Sequence, residues 1–131
     1  MLRVFLINLD RSPERLARMR AQADRQGISF ERIRGVDGLS LPDNMRGEFL
    51  APRGRIASKM LVGEVGCYAS HMRAWETVID NCLSHAMVLE DDVICEQEFA
   101  AIADAAVRCW PAGWDLIHLH STNKKAMARV A

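Results

Sequence analysis

Apolar residues form short runs that predict four β-strands. Residues 4–9 and 86–89 are compact apolar runs, which are typical of buried strands. Residues 28–38, "ISFERIRGVDG", alternate apolar and polar positions and end in an Asp-Gly turn pair. A fourth apolar run, "WDLIHLH", lies at 114–120.

Three segments with a helical period separate these runs. The first has Ser12 as N-cap, Pro13 at the first helical position and Gly27 as its stop. The second is "GEVGCYASHMRAWETVID", where apolar residues recur at three- and four-residue steps. The predicted buried face of this second helix consists of Val65, Tyr68, Met72, Trp75 and Ile79. The third helix is predicted at 96–108.

Residues 39–61 follow neither period. Prolines and glycines interrupt the segment, and its basic residues lie between Arg46 and Lys59. We therefore predict a long loop that is either functional or mobile.

Helices that alternate with apolar strands predict an α/β fold with a largely parallel sheet. A chain of 131 residues suits a single domain, 1–131, and can bury a core without disulfides or a structural metal. Seventeen basic and seventeen acidic residues cancel, so no global positive field recruits nucleic acid, and none is expected as a partner.

Four cysteines occur without any Cys-x-x-Cys pair, which argues against a zinc knuckle or a redox dithiol and predicts buried thiols of a reducing compartment. The N-terminal apolar run meets Asn8 and Asp10 too early for a signal peptide. No stretch approaches the roughly 18 apolar residues of a membrane span. These features predict a cytoplasmic location.

Three consecutive carboxylates, Glu90, Asp91 and Asp92, follow the strand at 86–89. Ligands of α/β proteins gather at the carboxyl ends of parallel strands, where Asn8 and Asp10 are also predicted to lie. Hard divalent cations take oxygen ligands, and a cation would relieve the repulsion within the trio. The alternative is that the trio only caps the following helix.

Four blocks, "FLINLDRSPERL", "GEVGCYASHMRAWE", "MVLEDDV" and "WDLIHL", stand in the order and approximate spacing of glycosyltransferase family 25. The chain resembles that family, which includes lipooligosaccharide galactosyltransferases of bacteria and collagen galactosyltransferases of animals, from residue 3 to about 121. The resemblance implies a GT-A-type, Rossmann-like nucleotide-sugar-binding domain. It also implies inverting transfer of a hexose, usually galactose from UDP-galactose, to a saccharide of a lipopolysaccharide or lipooligosaccharide.

In such enzymes the acidic motif carries a divalent cation, Mn²⁺ or Mg²⁺, that bridges the donor diphosphate. Here the resemblance implies Asp92 and then Glu90 as the metal ligands, since the two project to the same side of an extended segment. Asp91 points away and is expected to orient the donor ribose or sugar, or to act in catalysis. The cation would stabilise the charge on departing UDP as a Lewis acid.

The first strand and its turn are expected to hold the nucleotide. The donor contacts implied there are Asn8, Leu9, Asp10 and Arg11, with Arg15 as a second candidate neighbour of the phosphates. Arg11 is equally well explained as a solvated charge at the start of a helix. The basic loop between Arg46 and Lys59 is expected to close over the diphosphate.

Within "GEVGCYASH", the resemblance favours site roles for Glu64, Ser70 and His71, with Glu64 and His71 as catalytic candidates and Ser70 as a donor contact. The alternative interpretations are a dipole partner in the first helical turn, a hydroxyl inside a helix and a histidine at the edge of the core. Gly63 and Gly66 are expected to permit close packing, and Cys67 is expected in the core.

His118 and His120 alternate along the fourth predicted strand and share a face, so they are metal candidates, although a structural histidine pair is the simpler interpretation. The tryptophans at 75, 110 and 114 are expected in the core, with a platform under a sugar as the alternative.

Family members continue beyond the last predicted strand, so the C-terminal acceptor half is expected to be missing here. An uncovered sheet edge or apolar face would then favour homo-oligomers. Peripheral association with the inner face of the membrane is a further expectation. One alternative function is a catalytically inactive nucleotide-sugar-binding or assembly module. A second is a haloacid-dehalogenase-like phosphatase with Asp10 as nucleophile, which lacks the second aspartate because Ser12 stands there.

Overall fold

The computed structural model describes residues 2–56, 59–109, 112–113 and 115–119. Apart from one short hairpin, helices and strands alternate along them, as in α/β folds. In chain order the elements are β1 (Arg3–Asn8), α1 (Pro13–Gln26), β2 (Glu31–Arg34), α2 (Asp43–Phe49), β3 (Leu50–Ala51), β4 (Arg55–Ile56), α3 (Val62–Asp80), β5 (Ala86–Glu90) and α4 (Phe99–Arg108).

The main sheet has the order β2-β1-β5, and both pairings are parallel. In this register Ile7 of β1 stands between Ile33 of β2 and Glu90 of β5. The centre of β1 is fully buried at Phe5 and Leu6, because the strand has a neighbour on each side and helices cover the sheet. The predicted α/β fold with a parallel sheet is confirmed, and its helix-linked parallel strands are Rossmann-like.

Helix α1 begins and ends where the sequence predicts. Pro13 occupies the first turn, where its missing N–H costs no hydrogen bond, and Gly27 ends the helix in the left-handed conformation with φ of 64°. Ser12 is the N-cap, but its side chain makes no capping hydrogen bond. Its backbone carbonyl accepts a hydrogen bond from the Asn8 side chain instead.

Helix α3 packs mainly through its small residues, although Met72 of the predicted face is half-buried against the core. Val65 is buried as predicted, together with Gly66, Ala69, Ser70 and Ala74. Tyr68, Trp75 and Ile79 are exposed by 49%, 43% and 72%, so the predictions that they face the core are wrong. Small side chains let the loop after β2 approach the helix closely, since a Cβ on Gly66 would meet backbone atoms of Gly38 and Val36.

The segment at 39–61, predicted to be a loop, contains helix α2 and a hairpin of β3 and β4. Leu41, Met45 and Phe49 recur every four residues and pack against Val65 and Ala69 of α3. That contact explains why a short helix forms here, since packing supplies most helical stability in proteins.

The strand predicted at 114–120 does not form at residues 115–119, which have no regular structure, and the remainder of that run lies outside the described residues. Helix α4 begins at Phe99, three residues after its predicted start at 96. Among the described helices, none combines the length and the apolar character that crossing a membrane demands.

Candidate functional site

A cleft of about 300 Å³ opens at the carboxyl ends of β1 and β5. Helix α3 forms one wall with its first turns, and the loop after β2 forms another. Such a position is where ligands bind in open parallel sheets. The polar and charged side chains that line it are Asn8, Arg11, Arg15, Asp37, Cys67, Ser70, Glu90, Asp91 and Asp92.

Asn8 joins the two strand ends beneath this cleft. Its Nδ2 donates to Asp91 Oδ2 over 2.6 Å and to the Ser12 carbonyl over 3.0 Å, and its Oδ1 accepts from Arg32 Nε over 3.0 Å. The side chain is 1% exposed. Because both amide hydrogens are already used, Asn8 acts on the site by positioning Asp91.

Asp91 turns inward toward α1. Its Oδ1 accepts from Arg15 Nη1 over 3.2 Å, and its backbone carbonyl accepts from Arg18 over 2.9 Å. The residue is 8% exposed, which fits a carboxylate whose charge is paired and hydrogen-bonded. The structure therefore places Asp91 in a buried network at the edge of the cleft.

Glu90 lies on the other side, against α3. Its Oε1 stands 3.1 Å from His71 Nε2 and accepts from the Cys67 thiol at 3.9 Å. One ligand atom from each of these three residues lies within 4.8 Å of the others. Asp92 is exposed and lines the same cleft.

Cys67 is exposed at this site, so the prediction of a core cysteine is wrong. Although the residue as a whole is exposed, partial burial of its sulfur is the main cause that raises the pKa of the Cys67 thiol, and the negative charges of Glu90 and Asp92 raise it further. The signal available in the sequence was its spacing, because Cys67 and His71 stand four residues apart on one helix face. Cys82 and Cys109 are exposed and Cys95 is half-buried, so burial was also wrongly predicted for these thiols.

Glu64 and Ser70 have structural partners. The Glu64 carboxylate accepts from the Leu61 backbone N–H over 2.7 Å at the start of α3. Ser70 Oγ accepts from the Val36 N–H over 2.8 Å and donates to the Gly66 carbonyl over 2.6 Å. Ser70 lines the cleft, whereas Glu64 does not.

Asp10 and Arg11 diverge after β1. Asp10 pairs with Arg32 and Arg34 at 2.6 Å each and does not line the cleft. The hydrogen bond from Arg32 is the largest cause that lowers the pKa of Asp10. Arg11 does line the cleft, where it pairs with Asp37, and Leu9 lines it as well.

Two glycines bring the loop after β2 against the start of α3. A Cβ on Gly38 would stand 1.9 Å from the Val62 carbonyl oxygen, and one on Gly66 would stand 2.7 Å from the Gly38 nitrogen. The backbone of the loop after β2 is therefore in direct contact with the backbone of α3 in this part of the cleft. The expected packing role is confirmed at Gly66, but Gly63 has no atom within 4 Å of its would-be Cβ.

A sequence model of a single family accounts for nearly the whole chain. It is described as glycosyltransferase family 25 (LPS biosynthesis protein) and matches residues 1–129. This chain belongs to glycosyltransferase family 25. The resemblance drawn from the four sequence blocks is thereby confirmed.

Relatives of this family 25 chain carry names of three kinds. An Aedes aegypti protein named glycosyltransferase 25 family member is 35% identical over 125 residues, which are 88% of this chain and 20% of that protein. The Homo sapiens protein named inactive glycosyltransferase 25 family member 3 is 36% identical over 128 residues, 88% of this chain and 21% of its own length. Procollagen galactosyltransferase 2 of Mus musculus is 35% identical over 102 residues, 73% of this chain and 16% of that protein. The chain spans about a fifth of the length of these relatives.

The cleft brings most of the predicted site residues together. Leu9, Arg11, Ser70 and the acidic trio line one cleft, and His71 reaches it through Glu90. The basic residues between Arg46 and Lys59 that the structure describes do not line it. His118 is exposed, while the other metal candidate, His120, and the tryptophans at 110 and 114 lie outside the described residues. Arg32 and Asp37 were missed because each acts through a partner distant in sequence.

Proposed function

We propose that this chain is the donor-binding part of a metal-dependent, inverting glycosyltransferase with a GT-A-type domain. It would take galactose from UDP-galactose and pass it to a saccharide hydroxyl. The observation that carries the proposal is the pair Glu90 and Asp92 at the carboxyl end of β5, in a cleft that Arg11 and Arg15 also line, in a member of family 25.

The residues present fit a hard divalent cation such as Mn²⁺ or Mg²⁺. Within the described part of the chain, no hydrogen bond or ion pair occupies the Asp92 carboxylate, which is exposed to the cleft. Asp92 would be the first ligand and Glu90 the second. A bound cation would supply Lewis-acid stabilisation of the charge that develops on UDP as the glycosidic bond breaks.

Two arginines are proposed to face the diphosphate. Arg11 and Arg15 have side chains that are 61% and 48% exposed, and both line the cleft. Each now pairs with an aspartate, so donor binding would exchange a carboxylate for phosphate oxygens. Guanidinium groups suit that exchange because their planar donors match phosphate as well as carboxylate.

The acceptor hydroxyl must lose a proton to a positioned base. Of the three residues expected to act in catalysis, Asp91 is turned inward and Glu64 caps α3, whereas His71 contacts a carboxylate of the cleft. We assign Asp91 to positioning of the metal-binding turn and His71 to the proton.

The acceptor class is proposed from the family description and from relatives. A lipopolysaccharide or lipooligosaccharide saccharide follows from the description of the family, and a collagen acceptor is the animal counterpart suggested by the mouse relative's name. If the acceptor is a lipopolysaccharide or lipooligosaccharide saccharide, the proposed location is the cytoplasm, at the inner face of the membrane.

A nucleotide-sugar-binding module without transfer is the second candidate function. Relatives named inactive favour this second function, because their sequence identity to this chain is as high as that of relatives whose names lack the word inactive. Donor binding without transfer to any saccharide and without UDP-sugar hydrolysis is its expected signature.

The test is calorimetric titration of the 131-residue chain with UDP-galactose, with and without Mn²⁺. Metal-dependent binding that Asp92→Asn abolishes supports the donor site. Asp104→Asn removes an exposed carboxylate on α4 and should leave binding intact. Equal binding by both variants, or none by the wild-type chain, would refute the proposal. Release of UDP in the presence of saccharide acceptors then separates the transferase from the binding module.

A further inference from the structure

Three side chains with different ligand atoms converge at one edge of the cleft. Cys67 and His71 lie one turn apart on α3, and Glu90 ends β5 opposite them. The His71 and Glu90 side chains are 27% and 47% exposed, and Cys67 is exposed as well, so a cation from solvent can reach all three.

The spacing of these ligand atoms suits tetrahedral zinc. Zinc bonds of about 2.0–2.3 Å place neighbouring tetrahedral ligand atoms roughly 3.3–3.6 Å apart. The Glu90 oxygen stands 3.1 Å from the His71 nitrogen and 3.9 Å from the Cys67 sulfur. Small rotamer adjustments would bring both separations into that range, because all three ligand atoms already lie within 4.8 Å of one another.

We propose that Cys67, His71 and Glu90 form a zinc site with three protein ligands and a fourth position open to the cleft. The ligand types decide the metal. A thiolate and an imidazole favour Zn²⁺ over Mg²⁺ or Mn²⁺, which prefer oxygen, and Cys-His-carboxylate is a set that zinc accepts. On binding, the Cys67 thiol loses its proton to solvent as the sulfur–zinc bond forms.

The negative charge of Asp92 also favours a cation at the proposed zinc site. Its exposed carboxylate lines the same cleft as Cys67 and Glu90. Negative charge beside three ligands favours a divalent cation there. The zinc site is distinct from the oxygen-ligated position proposed for the donor metal, but the two share Glu90. Zinc and Mn²⁺ are therefore expected to compete for this residue, and bound zinc would inhibit transfer by occupying His71, the histidine proposed to take the acceptor proton.

The first experiment needs no nucleotide sugar, so its outcome is independent of the proposed transferase function. The reduced full chain is titrated with Zn²⁺ against a chromophoric chelator, and separately with Co²⁺ as a spectroscopic substitute. We expect one equivalent of tight zinc. With cobalt, we expect a thiolate-to-metal charge-transfer absorption and the intense visible bands of a tetrahedral ion.

Cys67→Ser should abolish the charge-transfer absorption and weaken zinc binding by more than about tenfold, since the loss of even an outer partner of a metal site costs that much. His71→Asn should weaken zinc binding similarly. Cys109→Ser is the matched control, because it removes an exposed thiol directly after α4. Circular dichroism of each variant checks that the fold is retained.

Three results would overturn the proposal. One is the absence of stoichiometric zinc binding by the wild-type chain. Another is a cobalt spectrum of octahedral type without thiolate absorption. The third is zinc binding that survives Cys67→Ser and is lost in His118→Asn, which would move the site to the C-terminal histidines.

Discussion

The Asn8 side chain donates a 2.6 Å hydrogen bond to the Asp91 carboxylate, and this contact joins the ends of β1 and β5 across 83 residues of sequence. It fixes the middle residue of the acidic trio, so that Glu90 and Asp92 are left to face α3 and the cleft. The trio was expected to be extended, but β5 ends at Glu90 and the chain turns at Asp91 and Asp92, so the buried amide anchors a turn.

Asn8→Ala should lower the free energy of unfolding by about 1–3 kcal/mol, because it removes the buried donor to Asp91 and the acceptor for Arg32. Urea denaturation measures the change. Asn44→Ala, at an exposed position of α2, is the control and should stay within about 0.5 kcal/mol of wild type. Equal stabilities of the two variants would contradict the central role of Asn8.

Gly66→Ala should destabilise the fold by about 1–3 kcal/mol, since the new methyl group would meet backbone atoms of Gly38 and Val36 that cannot yield as a side chain would. Gly47→Ala is the matched helical control, because nothing lies within 4 Å of its Cβ. That substitution should stabilise the chain by about 0.5–1 kcal/mol. Thermal unfolding of both variants tests the contrast.

The pKa of Asp10 should rise when Arg32 is replaced by glutamine, because the hydrogen bond from Arg32 is the main cause that lowers it. A carboxyl whose pKa is lowered by folding stabilises the folded state at pH values above its ordinary pKa. This stabilisation is lost as the pH falls through the pKa that the group has in the folded state. Carboxyl ¹³C NMR titration follows the group directly. Arg25→Gln, at the far end of α1, should leave the titration unchanged; a shift there of equal size would contradict the assignment.

Glu90→Gln should speed alkylation of Cys67 at neutral pH, since the Glu90 charge is one cause that raises the pKa of this thiol and only the thiolate reacts. Mass spectrometry of iodoacetamide-treated protein, in the presence of a metal chelator, measures the rate at each cysteine. Glu96→Gln serves as the control. A rate at Cys67 that falls in Glu90→Gln would show that the carboxylate does not raise the thiol pKa.

Arg15→Gln should weaken UDP-galactose binding by roughly tenfold, if the donor phosphates replace Asp91 as partners of this guanidinium. Arg20→Gln lies on the same helix at an exposed position and should have no such effect. Calorimetry of the two variants is the measurement, and comparable affinities would remove Arg15 from the donor site.

Local signals in the sequence predicted much of the fold. Pro13 and Gly27 fix the ends of α1 through backbone conformation alone, and the apolar run at 86–89 marks β5. The buried face of α3 was predicted wrongly because hydrophobic size says nothing about how closely another backbone approaches. That approach is set by Gly38, which lies far from α3 residues in sequence.

Part of the candidate site could likewise be predicted from the sequence, and part of it could not. The acidic trio and the turn after β1 were found from their position after strands. Cys67 was missed because a cysteine in an apolar helix is usually buried, and its neighbour Glu90 comes from another element. The structural partners of Asn8, Glu64 and Ser70 are hydrogen bonds that depend on the assembled fold, which residue types alone do not specify.

The contact between Gly38 and Gly66 limits how this cleft can diversify. Both residues line it, and neither position has room for a side chain. Variants of the cleft that adapt to a different ligand must therefore change residues on the walls, such as Arg11, Leu39 or Cys67, while the main-chain surface between them stays constant.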